Sequence, residues 1–372
     1  FDLMTDNLDC DYNAELDKYI EQLKSCKYIQ DDRAVKKLCE KLNIKDNKTV
    51  YDPCCGTGNF LLQVDADFNN IYGNDIDIMS VKIARINMAL KYRITDKNLL
   101  CSHITNRNFL TFDDIKRYDF IIGNPPWGAD FKQEEKQHLR KNYKCAHSKN
   151  IESFSVVIEQ ALNLLNINGV LSFVLPEAIL NVKTHKDIRQ IILENNSITY
   201  LEYLGNAFDG VQCPSIILQI SHNNKNLTTL GTMVCSKNNK FIISTNREIN
   251  SNNFNFLMDD KEYNIIKKIE HIANKVTLEN NSKFALGIVT GDNKNYLSTT
   301  MNKDNEMILK GANIAKFNYK NSNTYINFTP KKFQQVAPTE LYRAKEKLFY
   351  KFISKELVFA YDNKQTLSLN SC

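Results

Sequence analysis

No apolar run in the 372 residues reaches the ~18–20 residues that a membrane-spanning helix needs. The best candidate, Gly169–Leu180, is interrupted by Pro176 and Glu177. No signal peptide is visible. The chain begins at Phe1 without an initiator Met, so it reads as a fragment, and a missing leader says little. The 10 cysteines form no paired CxxC pattern and no regular framework, so no metal site is expected. Reduced thiols in a cytoplasmic protein are the simplest reading. Internal repeats are missing too. The charge balance, 48 Lys and Arg against 43 Asp and Glu, gives only +5, a weak lean toward polyanionic partners. Ordinary composition, with 42% hydrophobic and 24% charged residues, excludes collagen-like, coiled-coil and wholly disordered chains.

What is present is an alternation. Residues 1–45 read as mostly helical, with apolar positions at three- and four-residue spacing over 18–26 and 34–42. Strands are expected at 49–52, 70–73, 119–123, 170–175, 199–204 and 215–221. Helices are expected to begin at Asn59 and to cover 78–91 and 152–165, with Gly169 as a stop. Near-continuously apolar strands between helices argue for an α/β fold with a mostly parallel, doubly wound sheet. This first domain spans 1–222. An Asn-, Lys- and Ser-rich connector follows over 223–256, and a mixed α+β domain over 257–372.

Three segments carry chemistry. Tyr51-Asp52-Pro53-Cys54-Cys55-Gly56-Thr57-Gly58-Asn59-Phe60 sits at a strand-to-helix turn, where glycines let the backbone approach a ligand and the helix presents free N–H groups. The turn lacks a following Gly-Lys-Ser/Thr and a full GxGxxG, so it fits neither a Walker loop nor a dinucleotide fingerprint. An ordinary tight turn remains open for it. Asp75, followed by Ile76, ends the next strand about 20 residues on, the place for gripping ribose hydroxyls; an N-cap is the alternative. Asn124-Pro125-Pro126-Trp127 ends an apolar strand. Two prolines freeze the corner and remove two donors, so carbonyls and the Asn124 side-chain oxygen face outward as acceptors for an exocyclic amine. Trp127 offers a flat face to a base, though a rigid turn capped by a core Trp would look the same.

In this order the three segments resemble the AdoMet-dependent amino-methyltransferases, and in particular the gamma class of N6-adenine DNA methyltransferases of restriction-modification systems. Val170–Pro176 is similar to that family's strand after the amphipathic helix. Phe208-Asp209-Gly210-Val211-Gln212-Cys213-Pro214 resembles its late motif, and Leu286–Lys294, Leu309–Ile314 and Leu357–Ser371 resemble its DNA-recognition region. The resemblance implies a Rossmann-like AdoMet methyltransferase domain and a recognition domain, here incomplete, that binds double-stranded DNA. It implies that Asn124, Pro125, Pro126, Trp127 and Phe208 act on a flipped-out adenine. For S-adenosyl-L-methionine it implies Asp52, Pro53, Cys54, Gly56, Gly58, Phe60, Asp75, Ile76, Asn108, Phe109 and Asn124. Departures are Trp127 where the family usually has Tyr, Asn108 for an adenine-binding Asp, and Gln30-Asp31 for Thr-Pro. N4-cytosine, rRNA or protein-glutamine methylation and an inactive specificity subunit are the alternatives. No Asp…Glu-x-Lys nuclease cluster is found, so a separate or fused endonuclease would lie outside these residues. No membrane partner is expected.

Overall fold

The computed structural model describes residues 32–42, 44, 47–111, 116–148, 150–206, 213–222, 232–235, 239–242, 249, 251–278 and 281–372. The chain divides into two compact units, Phe1–His271 and Ile272–Cys372. The compositional change seen in the sequence, at 223–256, lies wholly inside the first of them.

In chain order the first unit contains α1 (Asp32–Leu42), β1 (Val50–Asp52), α2 (Asn59–Gln63), β2 (Ile71–Asp75), α3 (Ile78–Tyr92), α4 (Lys97–His103) and β3 (Ile104–Asn106). It continues with β4 (Tyr118–Gly123), α5 (Gln133–Asn142), α6 (Ser153–Asn163), β5 (Leu165–Pro176), α7 (Lys186–Asn195), β6 (Ser197–Gly205) and β7 (Ser215–Ser221). A hairpin, β8 (Thr232–Cys235) with β9 (Asn239–Ile242), and α8 (Asp260–Glu270) complete it.

The seven strands β1–β7 form one sheet in the order β3-β2-β1-β4-β5-β7-β6. Pairings are parallel up to β5, and β7 alone runs antiparallel to both its neighbours. Burial on both faces explains why the strands read as apolar runs: every residue of β1 and β7 is buried. One face carries Val50, Ile71, Ile104, Ile122, Val174 and Ile217 under residues of α1–α4. The other carries Tyr51, Ile121, Leu171, Phe173 and Leu175 under α6 and α7. Caps set the helix starts. Asp77 accepts from the backbone of Met79 and Ser80 at the head of α3, and Asp96 does the same for α4.

Strand order reverses between β1 and β4. In an open α/β sheet, ligands bind beyond the carboxyl ends of the strands at such a switch point. The two segments that end β1 and β4 are the 52–58 turn and the 124–127 corner.

In the second unit, a four-stranded sheet runs β10 (Leu297–Ser298), β14 (Tyr325–Ile326), β11 (Glu306–Leu309), β17 (Leu367–Ser368). Two hairpins accompany it, β12 (Ile314–Ala315) with β13 (Asn318–Tyr319), and β15 (Lys347–Tyr350) with β16 (Phe359–Asp362). Ile288, Ile308, Ile326, Leu367 and Leu369 centre a small core. The segments 286–294, 309–314 and 357–371 converge here. A side chain at Gly287 would sit 2.1 Å from the Leu369 carbonyl oxygen, and one at Gly311 2.6 Å from that of Ser371. Both glycines therefore serve close backbone packing.

Candidate functional site

Asp52 ends β1 with no exposed surface. Its Oδ1 accepts from the Cys54 N–H at 3.1 Å, while Oδ2 is buried with no hydrogen-bond partner among the described residues. Burial pushes the carboxyl well above the usual carboxylate range; the Cys54 N–H opposes this and the Asp75 charge adds to it. Gly123, ending the neighbouring β4, lies against this carboxylate. A Cβ there would fall 2.5 Å from Asp52 Oδ1, and Gly123 has φ 140°, so backbone conformation and space both require glycine.

The turn after Asp52 is built by Gly56 (φ 53°) and Gly58 (φ 90°), the latter capping α2 in the left-handed region. The Gly56 N–H donates to Asp75 Oδ2 at 2.8 Å, and Asp75 Oδ1 accepts from the Asp77 N–H at 2.9 Å. Asp75 thus ties the ends of β1 and β2 together. Asp77, not Asp75, caps α3, which removes the N-cap alternative. Each Asp75 oxygen retains a lone pair for a hydroxyl donor. Next to it, Ile76 is an exposed apolar side chain, with 68% of its surface open. Asn74 supports this edge from below, donating to the carbonyls of Pro53 and Arg107. Burial raises the Cys54 and Cys55 thiol pKa values well above their usual range, so both stay neutral and serve as small residues. Phe60 is buried inside the core.

Asn108 follows β3 and turns its side-chain oxygen onto the Leu110 N–H at 3.1 Å. Phe109 is 7% exposed and packs on Tyr51 with ring centres 6.1 Å apart. It lines, with Tyr72, His103 and Tyr118, a cavity of about 210 Å³.

At the end of β4, the Asn124 side-chain oxygen is buried with no hydrogen-bond partner among the described residues. Pro125 is buried, Pro126 exposed and Trp127 half-buried, touching apolar side chains of both sheet faces. Phe208 and the segment to Gln212 lie outside the described residues. One participant escapes a reading of the sequence. Ser153, the first residue of α6, donates its hydroxyl to the Pro126 carbonyl at 2.6 Å. A serine at a helix start looks like a cap, so nothing in the sequence marks it.

Chemically, two neighbouring strand ends each present a buried acceptor oxygen, beside a glycine turn and the Asp75 carboxylate. Such an arrangement can accept hydrogen bonds from ammonium, hydroxyl or amine donors. The fold and these strand ends define the class: a methyltransferase-type α/β domain, with a smaller mixed domain after it.

Comparison with known proteins narrows the class. Residues 69–209 match the Eco57I restriction-modification methylase family, and residues 306–372 match the TaqI-like C-terminal specificity domain. The chain thus carries one segment that matches a restriction-modification methylase family and a second that matches a specificity domain. It is 29% identical over 287 residues to the Type II methyltransferase M.VspI of Vibrio sp. (strain 343), covering 72% of this chain and 65% of that protein. To the Type II methyltransferase M.CvrRI of Paramecium bursaria Chlorella virus XZ-6E it is 29% identical over 161 residues, covering 43% of this chain and 38% of that protein. This chain thus spans less than two thirds of either relative. Among solved structures, the Type IIL restriction-modification enzyme MmeI in complex with DNA superposes with a TM-score of 0.61 at 16% identity, over 96% of this chain and 59% of that one.

Proposed function

We propose that the protein transfers the methyl group of S-adenosyl-L-methionine to the N6 amine of an adenine flipped out of a specific DNA sequence, as the modification enzyme of a restriction-modification system. The observation that carries this reading is the pair of unpartnered buried oxygens, Asp52 Oδ2 and Asn124 Oδ1, at the ends of adjacent strands. Burying an acceptor without a partner costs about 1–3 kcal/mol. Two such groups at the carboxyl ends of adjacent central strands mark positions that donors from outside would fill.

The cofactor fits the first of them. Asp52 would receive its ammonium, with Pro53, Cys54, Gly56 and Gly58 passing around the amino-acid end. Asp75 would take the ribose hydroxyls and Ile76 would cover the adenine, with Asn108 and Phe109 backing that wall. When bound, the cofactor supplies an electrophilic sulfonium methyl. The chain's own task is the amine. Asn124 Oδ1 and the Pro125 carbonyl would accept its two hydrogens. This draws the nitrogen lone pair out of conjugation and aims it along the transfer axis. As the nitrogen becomes cationic, the same acceptors bind it more strongly, which is differential stabilisation of the transition state. Trp127 would stack on the base and Phe208 would meet its other side, repaying part of the extrusion cost. No cysteine nucleophile is required.

Incubating the full chain with labelled S-adenosyl-L-methionine and duplex DNA, rRNA or protein, then digesting to nucleosides or amino acids, tests the proposal. N6-methyladenine in duplex DNA is expected. N4-methylcytosine, or label only in rRNA or protein, would contradict it.

A further inference from the structure

The centre of the corner Asn124–Trp127 has to be held by something other than backbone amides. Pro125 and Pro126 carry no N–H, so these two residues can be anchored only through their carbonyls and rings. One carbonyl is already committed. Ser153 Oγ donates to the Pro126 oxygen at 2.6 Å and accepts from the Ala129 N–H at 3.2 Å. A single hydroxyl therefore closes the loop Pro126–Ala129 around Trp127, with Gly128 supplying the reversal at φ 66°. The serine is 1% exposed. It is also not needed where it would ordinarily serve: the helix N-cap position belongs to Glu152, whose side chain makes no cap hydrogen bond.

We infer that Ser153 is the positioning residue of the amine-binding corner. The inference rests on the proposed amine methylation. By occupying the Pro126 carbonyl it fixes the plane of the Pro126–Trp127 peptide, and because the ring locks the Pro126 φ, this also sets the orientation of the preceding peptide, which carries the Pro125 carbonyl. By holding Ala129 it fixes the loop that carries the Trp127 ring. α6 is packed into the core along its length, with Val156, Val157, Ile158 and Ala161 at or below 2% exposure. The anchor is thus part of the rigid scaffold, as positioning of acceptors to within a fraction of an ångström requires.

Trp127 is the only tryptophan of the chain, so its emission reports this corner alone. In Ser153→Ala we expect the single-turnover methyl-transfer rate on duplex DNA to fall about ten- to hundredfold. S-adenosyl-L-methionine affinity should stay within about twofold, and the Trp127 emission should shift to the red. Ser153→Thr, which keeps the hydroxyl, should restore most of the rate. Ser153→Cys, which keeps the volume with only a weak donor, should lie between and covers the case of an alanine variant that does not fold. A wild-type rate in Ser153→Ala, an unmoved Trp127 emission, or equal losses in all three variants overturns the inference. Asn124→Ala, run in parallel, separates the two claims. If it is inactive while Ser153→Ala is normal, only the role of Ser153 falls. If it transfers normally, the amine reading falls, and the Trp127 emission alone decides whether Ser153 anchors the loop.

Discussion

Asp52 is a carboxylate with no exposed surface, one satisfied oxygen and a pKa raised by burial. The direction of its pH behaviour follows. A cation placed at Oδ2 favours the ionised form, so ligand binding releases a proton wherever free Asp52 is still protonated. S-adenosyl-L-methionine affinity should therefore rise with pH up to the Asp52 pKa and level off above it; Asp52→Asn should flatten the profile, as titration calorimetry at a series of pH values will show. Because the folded pKa lies above the unfolded one, the native state binds the extra proton. Asp52 therefore lowers stability as pH rises from 3.8 toward its folded pKa. Asp75 loses two backbone donors and its hydroxyl sites on truncation, so Asp75→Ala should weaken cofactor binding by roughly ten- to hundredfold. Gly123 makes the same region intolerant of volume. Gly123→Ala would push a methyl onto Asp52 in a backbone region that disfavours alanine, at a cost on the order of 1–3 kcal/mol. A melting temperature lowered by several degrees is expected, and an unchanged one would show that the β1 and β4 ends are not pressed together.

At the scale of elements, the long apolar strands and the motif turns are legible in the sequence because each pairs a periodic pattern with a hard stop. The strand leading to Asn124 ends at Gly123 as expected, and the expected helix over 78–91 is α3 (Ile78–Tyr92). Short elements are not legible. β3 has only three residues, too few for a period, so the strand of Asp119–Gly123 looks like the third when it is the fourth in the chain. α5 has Leu139 as its one apolar residue and shows no stripe to read, while α7 carries only a short one, Ile188, Ile191 and Ile192, within ten residues. The sequence places a helix stop at Gly169, yet α6 ends at Asn163 and β5 already begins at Leu165, bending at Asn168 with φ 63°. Gly169 answers to that bend: a Cβ there would lie 2.9 Å from the Asn166 carbonyl oxygen. The unpartnered state of the Asn124 and Asp52 oxygens is beyond any sequence reading, since it depends on what three-dimensional neighbours fail to donate. In the second unit, β13, β15 and β16 are tied by one carboxylate. Asp362 is buried, pairs with Lys347 at 2.7 Å and accepts from the Tyr319 hydroxyl and from Thr366. Burial alone would raise its pKa, but those donors, Lys347 foremost, outweigh it and hold the carboxyl below the usual value. Its stabilising effect is thus present above the unfolded value of about 3.8 and lost as pH falls through the lower folded one. Asp362→Asn should lower the melting temperature at pH 7, with the difference from wild type shrinking toward pH 3.

At the scale of the whole molecule, charge is unevenly shared. Residues 272–372 carry fifteen Lys and Arg against eight Asp and Glu, a larger excess than the +5 of the entire chain, so residues 1–271 are slightly acidic. Lys310, Lys320, Lys331 and Lys332 are exposed there, and Lys316 is exposed while pairing with Glu356. If the specificity unit meets phosphates, the logarithm of DNA affinity should fall linearly with the logarithm of salt concentration. Replacing Lys331 and Lys332 by alanine should reduce the slope by about one for each phosphate left without its lysine. Equal slopes would assign those lysines to solvent. The catalytic proposal meets its most direct test in a crystal of the chain soaked with sinefungin, whose amino group stands where the transferable methyl would be. We expect its amino-acid end at Asp52 and the methyl-mimicking amine facing Asn124 Oδ1. A ligand bound away from the carboxyl ends of β1 and β4, or with that amine turned from Asn124, would contradict the proposed chemistry.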